Sequence, residues 1–493
     1  MKAVKYVLGA MLWMFVGAAA GIFTVYVLEA RSLPPLQPWH HSVLGDDFGA
    51  TNAVQSLEQY LAREAELFDR LEAAVGGRAT GASGAVFDRY DASSPSNPAN
   101  HPRNWNRTYE FETADPRGAV LLIHGLSDSP YSTRAVGEIF RARGFYVLGL
   151  RVPGHGTIPG ALTATTWRDW SEAVRVGARH AADSIGRDKP LVLVGYSNGA
   201  ALAVDYVAGI LEGRQDPRPV ALVLLSPAMT VHPVASLARF QRRLAVLPGL
   251  EKLAWSGIRP EYDPFKYSSF PVRAGEEIWR LTSGLSRRIA HLSKRGKLGS
   301  FPPVIAFQSV VDATIPPEGI VEGLLRELEP GGSELVLFDV NRHAPSGLFG
   351  GTGHDEFLRS LTDDPALPFG LTVVTNAAAT SRSVIAKRRR WGKREWTETA
   401  LDLEWPRMVY SLSHVAIPFP PDDPLYGTGE TEAEPSLLNI GALAARGERG
   451  TLAMSTDVMM RLRYNPFYAY LAERVAVEID RVAERPRRAA TGP

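Results

Sequence analysis

Residues 191–204 read LVLVGYSNGAALAV. Leu191 to Val194 form an uninterrupted apolar run of the kind seen in strands buried on both faces, and Ala200 to Val204 are helix formers. Between them stands Gly195-Tyr196-Ser197-Asn198-Gly199, a serine with a glycine two positions away on either side. A sharp strand-to-helix turn needs that spacing, because bulky side chains there collide with the neighbouring strand and helix. Such a turn exposes the serine hydroxyl. The helix that begins at the turn also aims backbone N–H groups at any negative charge developing beside it. Ser197 is therefore the candidate nucleophile.

Working outward, the apolar runs Ala119–Ile123, Tyr146–Leu150, Ala221–Leu225, Val304–Phe307 and Leu335–Phe338 alternate with helical patterns. This predicts an α/β fold with a mostly parallel central sheet and helices on both faces. The run Ala119–Ile123 ends in His124-Gly125-Leu126, where a glycine allows close backbone approach. The N–H groups of Leu126 and Asn198 are the candidate oxyanion-hole donors. His124 and His155, the latter in Gly154-His155-Gly156, read as loop scaffolding.

The segments VLLIHG (120–125), RVPGHG (151–156), VGYSNG (194–199) and VLLSP (223–227) together resemble the α/β-hydrolases of the monoacylglycerol lipase and serine aminopeptidase type. The resemblance covers about Gly118 to Ser226. It implies an α/β-hydrolase fold, an esterase or lipase with a serine, histidine and acid triad, no cofactor, no metal, and a cap domain that shapes the substrate site. After Val304–Phe307 comes Val311-Asp312-Ala313-Thr314-Ile315-Pro316, similar to the family's acid-bearing turn. Asp312 is thus the candidate acid that orients the base. For the base, His343 has the ordinary family spacing, about 30 residues beyond Asp312, but an unpersuasive setting. His414 follows the apolar run Met408-Val409-Tyr410, read as a strand, and precedes a loop stiffened by Pro418, Pro420 and Pro421. The reading favours His414, since a base must be held in fixed orientation. His354 is a third, weaker option.

The chain has 493 residues and a composition of 45% hydrophobic and 22% charged, that of an ordinary globular protein. Its 54 basic and 53 acidic residues give a net charge of +1, which supplies no field for nucleic acid. The absence of cysteine excludes thiolate nucleophiles and cysteine-ligated zinc. From Tyr6 to Leu28 there is no charge, and a helix of that length spans about 34 Å, enough for a hydrocarbon core. Lys2 and Lys5 precede it, which favours a cytoplasmic N-terminus and a body on the periplasmic or extracellular side. A retained single-pass anchor is the favoured reading. A cleaved signal segment, with small residues at Gly17 to Gly21, is the alternative.

The expected organisation is a transmembrane anchor over 1–30, a stalk and helical arm over 31–108, and a catalytic domain over 109–430. That domain carries a helical cap at about 227–300 and a second insertion at about 342–406. In the C-terminal extension, 431–493, the stretch from about Ala445 onward ends in Arg-rich, Pro-containing residues that are expected to fray. The basic run Lys387 to Arg390 reads as solvated surface. The expected activity is hydrolysis of carboxylic esters, monoacylglycerol-like or lysolipid-like. An aminopeptidase-type amide hydrolase and a non-enzymatic envelope scaffold are the alternatives. The sequence leaves the oligomeric state open.

Overall fold

In a computed structural model of the chain, the structure describes residues 2–41, 44–45, 47–49, 55–75, 86–186, 188–230, 238–343, 353–407, 409–429, 439–440 and 461–484. Its centre is a ten-stranded sheet. In chain order the strands are β1 (Tyr109–Phe111), β2 (Ala119–Ile123), β3 (Tyr146–Leu150), β4 (Leu191–Tyr196) and β5 (Ala221–Leu225). A small hairpin follows, β6 (Trp255–Gly257) with β7 (Phe270–Pro271). The sheet then continues with β8 (Val304–Ser309), β9 (Glu334–Phe338), β10 (Gly370–Asn376), β11 (Ser383–Arg389) and β12 (Thr397–Glu404). The sheet order is β1-β3-β2-β4-β5-β8-β9-β10-β11-β12. The seven strands from β3 to β10 in that order run parallel; β1 pairs antiparallel with β3 at one edge, and at the other β11 pairs antiparallel with β10 and β12 with β11. β2, β4, β5 and β9 are buried along their whole length, which is why each reads as a continuous apolar run.

The helices are α1 (Lys2–Ser32), α2 (Pro38–His41), α3 (Leu57–Val75), α4 (Tyr131–Arg141), α5 (Trp167–Ile185), α6 (Asn198–Leu211), α7 (Ala238–Leu244), α8 (Val272–Lys294), α9 (Gly353–Thr362) and α10 (Tyr468–Glu484). On one sheet face α5, α6 and α8 bury Trp170, Val204 and Leu285 in a common core. On the other, α4 and α10 bury Phe140, Leu471 and Ile479. The parallel strands therefore have apolar helices above and below.

Several elements differ from the sequence reading. The C-terminal extension was given no helix in the sequence reading, yet Tyr468–Glu484 is a helix that buries Leu471, Val475 and Ile479 against the sheet, while the Arg-rich end expected to fray lies outside the described residues. The run Met408 to Tyr410 was read as a strand. Met408 lies outside the described residues, and Val409 and Tyr410 are in no strand. The stretch expected as a second insertion is in part sheet, since β10 continues the parallel order and β11 and β12 extend it as a meander. The basic run lies on β11. There Lys387 pairs with Glu398, Arg388 with Glu334, and Arg389 is buried, donating to the carbonyls of Leu361, Thr362 and Asp364. Within 227–300, α8 packs in the main core, and the interval nearer Ser226 holds α7 and the β6–β7 hairpin.

The N-terminal part is tied to this body. Arg151, at the end of β3, is buried between Asp47 at 2.9 Å and Glu64 of α3 at 3.0 Å. Tyr60 of α3 donates to the Arg151 carbonyl. α1 is, by length and composition, long and apolar enough to cross a membrane, and its side chains from Tyr6 to Met11 and from Trp13 to Ala18 are almost all exposed.

Candidate active site

The site grows from the end of β4. Ser197 adopts φ 53° and ψ −114° between the strand and α6. Its N–H donates to Leu225 O of β5 at 2.9 Å, which fixes the backbone while the side chain turns out of the sheet. The flanking glycines are sterically required. A Cβ on Gly195 would lie 2.4 Å from Ala200 Cα, and one on Gly199 would lie 2.0 Å from Ile123 O.

The imidazole of His414 lies beside the serine. His414 Nε2 is 3.0 Å from Ser197 Oγ, and Nδ1 is 2.7 Å from Asp312 Oδ2. With Nδ1–H donating to the carboxylate, Nε2 is left as the acceptor for the serine hydroxyl. Asp312 follows β8 and is itself held on every side. Its Oδ1 accepts from the N–H groups of Thr314 (2.8 Å) and Ile315 (2.9 Å), and its Oδ2 accepts from Gln308 Nε2 at 2.9 Å. Gln308 is a further site residue that the sequence reading did not single out. A lone glutamine inside the apolar strand Val304–Ser309 was its only signal. Tyr196 packs its ring 5.6 Å from that of His414.

His414 reaches the serine from far along the chain by a closed excursion. Asn341, three residues beyond β9, donates from its backbone N–H to Tyr410 O at 2.7 Å and from its side chain to Val409 O at 2.9 Å. Beyond Asn341 the chain builds α9, adds β10 to β12 to the edge of the sheet, and returns to Asn341 just before His414. The other histidines lie elsewhere. His343 Nδ1 has Ala379 O at 3.4 Å, and His354 on α9 has Asp355 at 3.5 Å.

Leu126 and Asn198 flank the serine from two directions. Ile123 is paired with Gly195 in the sheet, so the loop after β2 runs beside the elbow. Asn198 is the first residue of α6, where N–H groups have no acceptor within the helix. The Leu126 N–H donates to no backbone acceptor among the described residues. His124 and His155 brace these loops. Val152 N–H donates to His124 Nε2 at 2.9 Å, and the other ring nitrogen is 2.8 Å from Gly125 O, so this imidazole is neutral. Burial holds His124 well below its usual value and lowers His155 to about 4.

Ser197 and His414 open into a cavity of about 760 Å³. Apolar groups including Leu126, Phe270, Val272, Ile278 and Ile315 form much of its wall. Asp128 is the one carboxylate among the described lining residues, and Lys266 Nζ neutralises it at 2.6 Å. Among the described residues there is no cluster of three or more His, Cys, Asp or Glu side chains arranged to hold a metal ion.

A mostly parallel sheet with helices on both faces, carrying a serine on a strained strand-to-helix turn, is the α/β-hydrolase architecture. Residues 114–344 match the family model described as serine aminopeptidase, S33. A thermostable monoacylglycerol lipase of Bacillus sp. (strain H-257) is 38% identical over 58 residues, which is 12% of this chain and 23% of that enzyme. The chain thus matches about a quarter of the length of that relative. Among solved structures, a Paleococcus ferrophilus monoacylglycerol lipase is 21% identical with a TM-score of 0.34, over 52% of this chain and 95% of that one. A soluble variant of monoglyceride lipase from Saccharomyces cerevisiae, in complex with a substrate analog, is 16% identical with a TM-score of 0.36, over 47% and 82%. The chain thus has the α/β-hydrolase fold, and over residues 114–344 it is similar to the serine hydrolases of that family and, in part, to a monoacylglycerol lipase. The family match includes Ser197 and Asp312 and ends before His414.

Proposed function

We propose that this protein is a membrane-anchored serine esterase acting on single-chain, lipid-like carboxylic esters. The observation that carries the reading is the linear contact of Ser197 Oγ, His414 and Asp312, at 3.0 and 2.7 Å. Ser197 Oγ attacks the ester carbonyl carbon as His414 Nε2 takes its proton, and Asp312 stabilises the imidazolium that results. The N–H groups of Leu126 and Asn198 receive the charge on the carbonyl oxygen. His414 then returns the proton to the departing alkoxide, leaving an acyl group on Ser197. A water deprotonated by the same imidazole releases the carboxylic acid.

Two features favour an ester over the amino-terminal amide of a peptide. An aminopeptidase must hold a substrate ammonium, and the single lining carboxylate, Asp128, is already occupied by Lys266. The apolar wall suits an acyl chain. α1 then serves as the anchor, with the body on the far side of the membrane from Lys2 and Lys5.

A fluorophosphonate probe tests the class of activity. Labelling is expected in the native protein and absent in Ser197→Ala, and a scaffold with no activated serine would take up no probe in either. p-Nitrophenyl esters assayed against aminoacyl anilides separate the esterase from the amidase, and faster cleavage of the anilides would overturn the ester assignment.

A further inference from the structure

The cavity that holds Ser197 is not closed by the hydrolase body alone. Tyr26, a residue of α1, is one of its lining side chains, together with Gln241 of α7 and Ser256 of β6. The outer end of α1 packs on the segment between β5 and β8: Ala30 is buried with Leu250 and Leu253, and Tyr26 and Val27 pack against the same cluster. Lys252 Nζ donates to the carbonyl of Leu33, where α1 has ended.

Helix geometry sets the depth of this contact. At 1.5 Å per residue, the stretch from Tyr6 to Tyr26 is about 30 Å long, which equals a hydrocarbon core of about 30 Å. When the apolar stretch spans a bilayer, Tyr26 therefore stands at its outer interface, the level where tyrosine rings are enriched. The neighbouring surface fits that level. Val246 is 83% exposed and Leu247 44% exposed, beside Leu244, which packs on the end of α1. Arg31, next to Ala30 on α1, and Arg243, next to Leu244 on α7, are exposed cations, suited to phosphate head groups.

Building on the esterase and anchor reading above, we propose that the outer turn of α1 is a wall of the substrate cavity, and that Tyr26 contacts the substrate's chain where it passes from the outer leaflet toward Ser197. The anchor is then a specificity element. A single-chain ester lying in the leaflet reaches the serine along the Tyr26 wall, so its chain passes from lipid to protein with little exposure to water. The ring offers a large apolar contact to the chain and leaves its hydroxyl at the wet interface.

The chain has no native cysteine, so one introduced thiol is unique. The full-length protein is placed in phospholipid nanodiscs as Tyr26→Cys in a Ser197→Ala background, where thiol labelling by a maleimide reports access without catalysis. The probe ligand is 1-O-dodecylglycerol, an ether with no ester to cleave. It is expected to slow labelling at position 26 by at least about fivefold and to leave labelling of Val477→Cys, an exposed position on α10, unchanged. In the active enzyme, Tyr26→Ala is expected to raise KM for p-nitrophenyl dodecanoate by at least about fivefold more than KM for p-nitrophenyl acetate. Equal labelling with and without the ether overturns the proposal, as does an unchanged ratio of the two KM values. Protection at position 26 in a protein that takes up no fluorophosphonate would uphold the wall and overturn the esterase reading instead.

Discussion

Ser197 holds a φ of 53° with a full side chain, a region that costs of order 1–3 kcal/mol for a residue other than glycine. The surrounding contacts impose it. The Ser197 N–H is committed to β5, its carbonyl accepts from Ala200 and Ala228, and α6 approaches so closely that Gly199 sits against the Ile123 carbonyl. Gly199→Ala cannot relieve this, because the obstructing atom is backbone. That variant is expected to lose at least about 1–3 kcal/mol of stability, read as a fall in melting temperature. Its fluorophosphonate labelling should fall as well, since the displaced end of β2 leads to Leu126. Gln308 acts at one remove. Its amide holds the Asp312 oxygen that faces His414, and Gln308→Leu removes that bond from a buried carboxylate. A loss of about 1–3 kcal/mol in positioning corresponds to roughly a 5- to 150-fold drop in kcat with KM little changed. Steady-state kinetics on a soluble short-chain ester checks it, and an equal rise in KM would mean that the glutamine shapes the cavity.

At the scale of elements, what the sequence displayed was what a parallel sheet forces into view. Strands β2, β3, β4, β5, β8 and β9 lie where apolar runs were read, because burial on both faces leaves no room for a polar alternation. The edges were harder to read. β12, with the sequence TETALDLE, is exposed along most of its length, and β11 carries three basic residues among its seven, so neither has the apolar signature. α10 was not read as a helix because its seventeen residues are rich in charge, while its core face is a narrow stripe. Ser197 was named from its strand-to-helix setting, Asp312 from its likeness to the family's acid-bearing turn, and His414 was favoured over His343 for the loop that holds it. The closed excursion that brings His414 to Ser197 could not be read, since it depends on two hydrogen bonds from Asn341 to carbonyls about seventy positions away. Arg389 shows the cost of treating a basic run as solvent surface. Its guanidinium donates to three carbonyls at the end of α9, at 2.7 to 2.9 Å, where the helix leaves acceptors unsatisfied. Arg389→Ala strands those buried acceptors and is expected to lower stability by about 2–3 kcal/mol. Lys387→Ala, whose partner is an exposed glutamate, should cost less than about 1 kcal/mol. Denaturant titration of the two variants side by side measures the difference.

Over the whole molecule, the groups that respond to mild acid are neutral histidines buried at the joints between parts. His40 on α2 lies 2.9 Å from Ser269 beside the β6–β7 hairpin, and burial lowers it to about 4. His155 is lowered to about 4 and His124 well below its usual value, also by burial. In the unfolded chain each takes up a proton near pH 6.5, whereas the folded protein keeps it neutral. Between about pH 6.5 and 4 the unfolded state therefore binds more protons, and stability falls as pH falls. Glu261 works in the opposite sense. Burial raises it to about 7, so from about pH 4.5 to 7 the folded state holds the extra proton and this one group favours acid. Each group contributes at most about 1.4 kcal/mol per pH unit, and the lowered histidines, half-buried His101 among them, outnumber the raised acids Glu261 and Asp263, so the balance is a loss of stability as pH falls below about 6.5. Melting temperatures measured from pH 7.5 down to 5 should fall steeply below 6.5. His40→Gln, which cannot titrate but retains a polar group toward Ser269, should make that fall shallower. A flat profile, or a variant with the same slope as the native chain, would mean that these imidazoles gain protons within the fold and that the loops around Ser197 tolerate the charge.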